Sequence, residues 1–194
     1  MAKKNLNKIF LSASIPYPER DEKFYSTADI VAIRDSVRAL TTVVVPKAQL
    51  IWGGHPAITP LIRFVTERMD VDLKEHVTLY QSNFFRRFFP KDNLHFENKV
   101  IVEEGPDKNS SLLNMRKEML SNNFSAAIFI GGMEGVLEEF EIFRKYNPNV
   151  LTLPIASTGA AAKIIFENNG NQNERLISDF AYMALFRDLL SDFI

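Results

Sequence analysis

Residues 126–146, AAIFIGGMEGVLEEFEIFRKY, place an apolar run, a Gly-Gly turn and an acidic amphipathic stretch in immediate succession. Few architectures accommodate a buried strand that ends in glycines and feeds straight into a helix. The order gathers backbone N–H groups and a helix N-terminus at one edge of a sheet, a place well suited to a phosphate. The segment therefore points to a nucleotide-type ligand and does not separate binding from cleavage. A glycine pair also serves plain turn geometry, so the segment needs company before it carries a site.

The rest of the chain repeats the strand–helix order. Apolar strands read at 8–14, 48–54, 77–82, 100–104, 126–132 and 150–157. Helical spacing reads at 27–45 (Ile30, Ile33, Val37, Leu40, with Ser26 or Thr27 as cap), at 55–69 with Pro56 and Pro60 early, and at 108–122, capped by Asp107, Asn109 or Ser110. Further helices read at 135–146, 158–169 and 177–194, with a loop over 17–25 and a polar loop over 169–174. Alternating units of this length predict a single α/β domain over residues 1–194: a doubly wound, mainly parallel, Rossmann-like sheet with helices on both faces. Ligands of such sheets bind beyond the carboxyl ends of the strands, at a topological switch point. Four strands run into small residues there: Ser12-Ala13-Ser14, Gly53-Gly54-His55, Gly131-Gly132 and Ser157-Thr158-Gly159. Four convergent small-residue edges favour a pocket over four unrelated turns.

Composition narrows the chemistry. A formal net charge of −1 argues against a broad surface for nucleic acid and leaves room for a local phosphate site. With no cysteine, disulfides, thiolate metal sites and cysteine nucleophiles are excluded, which fits a reducing cytoplasmic setting. The basic N-terminus, MAKKNLNKIF, lacks the apolar stretch of a signal peptide, and no run approaches the ~18 residues that span a bilayer. The expected chain is cytoplasmic, without membrane or nucleic-acid partners. His55, His76 and His95 show no metal-ligand spacing, and no metal or cofactor is expected. The GxSxG, GxxxxGK[ST] and GxGxxG patterns are absent.

Gly131 and Gly132 are the expected phosphate or ribose platform, with Met133 and Glu134 beside them and Gly135 in the first helical turn. Glu134, Glu138 and Glu139 near the helix start interact favourably with its dipole, by about 0.3–1 kcal/mol each. Glu139, one turn beyond Gly135, also has the reach to point back over the site and hold ribose hydroxyls or a developing oxocarbenium ion. Arg116 is either half of a solvated basic pair with Lys117 or a bidentate phosphate clamp. His55, at a strand-to-helix turn, either caps the turn or donates to a ligand. The run FFRRFF at 84–89 reads as core or subunit-interface packing with its arginines outward.

MRKEM at 115–119 followed by AAIFIGGMEGVLEEF at 126–140 resembles the LOG and lysine-decarboxylase-like proteins, which carry an Arg-Lys pair ahead of a PGGxGTxxE motif. Those are Rossmann-like enzymes that cleave nucleoside monophosphates at the N-glycosidic bond, and their Arg and final Glu match Arg116 and Glu139. The departures are specific: Ile130 replaces the motif proline, an extra residue gives Gly-Gly-Met-Glu-Gly, and Val136 replaces the threonine. With GGHPAITPLI at 53–62 and LPIASTGAAA at 153–162, this variant is similar to the SLOG domains of bacterial conflict and anti-phage systems.

That resemblance implies a sensor of a nucleotide-derived signal, such as an ADP-ribose or cyclic ADP-ribose-like molecule, rather than an enzyme. The wall would comprise Ser12, Ser14, Gly53, Gly54 and His55; Arg116 would meet phosphate; Gly131, Gly132, Met133 and Glu134 would cover ribose or pyrophosphate; Glu139 would order hydroxyls; Ser157 and Thr158 would close the far side. A homodimer or homotetramer and a separate effector protein are the expected partners. The alternative is a LOG-like nucleotide N-glycosidase (phosphoribohydrolase) with Arg116 and Glu139 as its catalytic pair.

Overall fold

A computed structural model describes residues 6–170 and 173–194; the first five residues of the basic N-terminus and residues 171–172 of the polar loop lie outside the described residues. The chain runs β1 (Lys8–Ser14), α1 (Glu22–Tyr25), α2 (Ile30–Val44), β2 (Gln49–Trp52), α3 (Thr59–Thr66), α4 (Leu73–His76) and β3 (Val77–Ser82). It continues through β4 (Lys99–Val102), α5 (Lys108–Leu120), β5 (Ala126–Gly131), α6 (Glu134–Tyr146), β6 (Leu151–Ile155), α7 (Ala160–Asn168), α8 (Arg175–Ser178) and α9 (Tyr182–Leu189). Three short 3₁₀ turns intervene at Asn83–Phe88, Lys91–His95 and Ala156–Thr158.

The strands form one six-stranded sheet in the order β4-β3-β2-β1-β5-β6, parallel at every pairing. Alternation along each strand feeds two cores. Ile9 and Leu11 of β1, Leu50 and Trp52 of β2, and Ile128 and Ile130 of β5 face the layer built by α2, α3 and α9. Phe10, Ile51, Ala127 and Phe129 face the layer built by α5, α6 and α7. The abundant phenylalanines concentrate on that second face: Phe10 stacks on Phe143 with ring centroids 5.6 Å apart, and Phe129 meets Phe140 edge-on at 5.1 Å. The result is a single Rossmann-like α/β domain. Among the described residues no helix is long and apolar enough to cross a membrane.

Several boundaries differ from the sequence expectation, each for a local reason. Helix α2 begins at Ile30 because Asp29, not Ser26 or Thr27, takes the Ala32 N–H at 2.9 Å. Thr27 is used elsewhere: its hydroxyl accepts the Ala160 N–H that opens α7. Residues 22–25 are a short helix rather than loop, capped by the Asp21 carboxylate on Lys23 N–H. The C-terminal stretch expected as one helix breaks into α8 and α9. There Asp179 is extended, accepts the Ala181 N–H at 2.8 Å and receives the Arg175 guanidinium. Asp107 is the cap of α5, in a reciprocal arrangement with Ser110.

The Gly131-Gly132 turn is one of the places where the fold needs residues without Cβ; Gly54 and Gly159, also at positive φ, are others. Gly131 and Gly132 have positive φ, +54° and +90°. A Cβ on Gly132 would stand 2.3 Å from Val136 Cγ2, and one on Gly131 would stand 2.4 Å from Ile33 Cδ1. Gly170 has a similar φ of +60° with nothing within 4 Å of a Cβ. Gly132→Ala is therefore expected to lower unfolding free energy by about 3 kcal/mol, conformational strain plus overpacking, and Gly170→Ala by about 1 kcal/mol, strain alone. Urea denaturation of the two variants checks this; equal losses would mean that the turn is not sterically constrained.

Candidate functional site

The strand order reverses between β1 and β5. From β1 the chain winds outward through β2, β3 and β4, then returns to lay β5 and β6 on the other side. Helix α2 after β1 packs on one face and α6 after β5 on the other, so a crevice opens between them above the strand ends. A cleft of about 850 Å³ occupies this position, within the range of small-molecule sites. Its lining includes Ser14 at the end of β1, Gly53, Gly54 and His55 after β2, Gln81 and Ser82 of β3, Arg116 of α5, Met133 just before α6, and Glu134, Gly135, Glu138 and Glu139 in the first turns of α6.

The charged centre is built by helix spacing. Glu139 lies one turn beyond Gly135, and its carboxylate turns back over β1, where Ser12 Oγ donates to it at 2.6 Å. Arg116 Nε donates to the other carboxylate oxygen at 3.4 Å, while Nη1 pairs with Glu138. Gly135 makes room for this guanidinium: a Cβ there would be 3.0 Å from Arg116 Nη2. Arg116 is only 11% exposed and Glu139 15%, so the solvated-pair reading of Arg116 does not hold; Glu138 is 59% exposed at the rim. Burial pushes the Glu139 carboxyl above the usual carboxylate range, against the opposing pull of Arg116 and of the Ser12 hydrogen bond.

The glycine turn does not act as the expected amide platform. Gly131 N–H donates to Thr158 Oγ1 at 2.8 Å and Gly132 N–H to the Ser14 carbonyl at 2.9 Å, so both are spent on holding β1, β5 and the 156–158 turn together. The donors that face outward come slightly later. Helix α6 begins at Glu134 after Met133, with no side chain capping its first turn. Met133, Glu134 and Gly135 all line the cleft.

His55 Nδ1 accepts the Ala57 N–H at 3.2 Å, which makes the ring a turn cap and leaves Nε2 as the bearer of the proton. Burial, with Arg20 adding repulsion, lowers its pKa to about 4, so the imidazole is neutral near pH 7 and presents one donor. The two roles left open by the sequence, cap and donor, belong to the two nitrogens of one ring.

Ser157 and Thr158 do not reach the cleft. Ser157 Oγ lies 3.0 Å from the Tyr182 hydroxyl, and Thr158 receives Gly131 N–H; both are buried beyond β5, on the side of β1 opposite to the cleft's main extent. Gly131, Gly132 and Ser12 support the cleft from beneath without lining it. The wall expected from β6 comes instead from β3 and the 3₁₀ turn after it. Gln81 Nε2 donates to the carbonyls of Gly53 and Gly54 at 3.3 and 3.0 Å and so fixes the turn after β2. Phe85, Phe88 and Phe89 line the cleft rather than filling a core, and Phe88 is 77% exposed. The signal for them was the FFRRFF run placed directly after a strand, in line with the glycine turns of its neighbours.

Comparison with known proteins bears on the fold and the family. No curated protein matches the chain in sequence. The X-ray structure of TM1055, a structural-genomics target, superposes with a TM-score of 0.60 at 14% identity, covering 95% of this chain and 99% of that one, a likeness of fold alone. A family model described as the SLOG cluster3 family matches residues 23–190, nearly the whole domain, and the chain belongs to that family.

Proposed function

We propose that this domain binds a nucleotide-derived small molecule in the cleft at the β1–β5 switch point and acts as a sensor of it. The observation that carries the reading is the Arg116–Glu139 pair, held inside that cleft beside an uncapped helix N-terminus. In this reading Arg116 meets phosphate, exchanging the rim carboxylate of Glu138 for the ligand's oxygens, and the first amides of α6 add neutral donors. Glu139, steadied by Ser12, accepts ribose hydroxyls. An ADP-ribose or cyclic ADP-ribose-like signal in bacterial conflict or anti-phage signalling suits these contacts, and the cleft has the volume for it. A change of homo-oligomeric assembly, or contact with a separate effector protein, would pass the signal on.

A second reading, hydrolysis at the N-glycosidic bond, is favoured by one specific feature. Burial raises the Glu139 carboxyl, next to an arginine, in the direction that acid–base work favours. Incubation with AMP and related monophosphates separates the two: the sensor reading expects no free base, whereas release of base that Glu139→Gln abolishes would establish the hydrolase.

Calorimetry against AMP, ADP-ribose and its cyclic isomers is expected to show binding that Arg116→Ala weakens by roughly 1.5–3 kcal/mol, the value of a charge-assisted hydrogen bond. Absence of binding at high micromolar concentration of every member would contradict the proposal.

The neutral state of His55 has a consequence for stability. Its folded pKa of about 4 lies below the ~6.5 of an unfolded histidine, so between those values the unfolded chain takes up a proton that the folded chain refuses. Its contribution is complete above about pH 6.5 and falls away as the pH drops toward 4, by up to ~3 kcal/mol. Glu139 has the opposite sign: with its folded pKa raised, it favours the unfolded state as the pH climbs through the carboxylate range. Urea midpoints measured from pH 7 to 4.5 are expected to fall in the native chain and to fall less in His55→Asn, whose amide oxygen preserves the cap. Parallel profiles would show that His55 is not held neutral.

A further inference from the structure

The elements that line the cleft differ in what they contribute. Every charged residue of its lining comes from the loop after β1 (Arg20), from α5 or from the start of α6; the ends of β2 and β3 and the turn after β3 supply none. What they supply is flat and neutral: the rings of Phe85, Phe88 and Phe89, with Trp52 beneath, and the Nε2–H of His55. The two arginines of the aromatic run, Arg86 and Arg87, are absent from the lining. One buried polar side-chain atom of the cleft lining has no partner among the described residues: Ser82 Oγ, in a residue 2% exposed, at the cleft end of β3. Phe88 is 77% exposed, an arrangement that folding alone does not require of a large aromatic side chain.

We infer that the β2–β3 side of the cleft is a nucleobase subsite, with the 3₁₀ turn at Asn83–Phe88 as its stacking wall. This rests on the nucleotide reading of the same cleft and gives the ligand an orientation. Phosphate and ribose lie over the β1–β5 switch point with Arg116 and Glu139, and the base lies over β2 and β3. A ring face accepts any base by stacking. The neutral His55 donor, bonded to the turn through its other nitrogen, meets an acceptor on the heterocycle's edge, such as a ring nitrogen or an exocyclic oxygen. Ser82, unbonded within the protein, has both donor and acceptor capacity to offer a second edge atom.

AMP and ribose 5-phosphate differ at the sugar's C1′ only by the base, and so read this side separately. The native chain is expected to bind AMP more tightly than ribose 5-phosphate in calorimetry. Phe88→Ala, a change at an exposed position that leaves the core intact, is expected to weaken AMP roughly tenfold while ribose 5-phosphate stays within twofold. Arg116→Ala should weaken both by similar factors. If Phe88→Ala leaves AMP unchanged, or weakens both probes alike, the base subsite is overturned while nucleotide binding stands. If neither probe binds the native chain, the nucleotide reading fails and the subsite with it.

Discussion

The parallel pairing of β1 with β5 is the constraint on which the site depends. It sets Ser12 beside Phe129 and Ser14 beside Gly131. Because side chains alternate along a strand, Ser12 shares the face of Phe10 and lies under α6, where its hydroxyl meets Glu139. A one-residue slip would turn Ser12 to the α2 layer and leave a buried carboxylate without its shortest hydrogen bond. The same register brings the Ser14 carbonyl to Gly132 N–H, which closes the turn from which α6 departs. Sheet register, turn and carboxylate position are thus one arrangement.

Electrostatics follows from that geometry. A carboxylate this deeply placed is stable only with compensation, and here burial wins in part: Glu139 keeps a raised proton affinity despite an arginine and a hydroxyl. Arg116 is shared between this buried group and Glu138 at the rim. The two carboxylates differ in what they can give up. Glu138 returns to water at little cost, because surface ion pairs are weak; Glu139 cannot leave. In the proposed function an incoming anion would therefore compete with Glu138, and the inner pair would stay to orient it.

Much of this was legible in the chain. Apolar runs separated by helical spacing specified an α/β fold with strand ends converging on one edge, and the glycine turns marked the ends of β2 and β5. Glu139 was reachable by spacing, since one helical turn links it to Gly135; Arg116 was left open by spacing and was singled out by the resemblance of MRKEM to the LOG-like motif. What escaped was anything fixed by the lateral order of strands. Sequence order says that β6 follows β5; it does not say that the crevice opens toward β1, β2 and β3. Ser157 and Thr158 sit at a strand end as small and polar as the others, yet on the closed side, where Tyr182 and Gly131 use them. Conversely, FFRRFF carries the composition of a core segment, and only the position of β3, two strands from the switch point, makes three of its rings cleft walls.

The inserted residue in Gly-Gly-Met-Glu-Gly takes its meaning from the same arrangement. Both glycine amides are consumed by the fold, so an anion cannot rest on the turn itself. The helix starts at Glu134, and its uncapped first turn is the nearest set of free backbone donors. In the proposed reading that moves the anion site away from the sheet edge and onto the helix end, on the side of Arg116. Glu139 stands about 7.5 Å along the helix axis from Glu134, at 1.5 Å per residue, so in that reading a group held at the helix end and one held by the carboxylate would be separate parts of one ligand. In the proposed reading a ligand spanning both would present an anionic group to the helix end and hydroxyls to Glu139, and whatever it carries beyond them would extend over the aromatic side of the cleft.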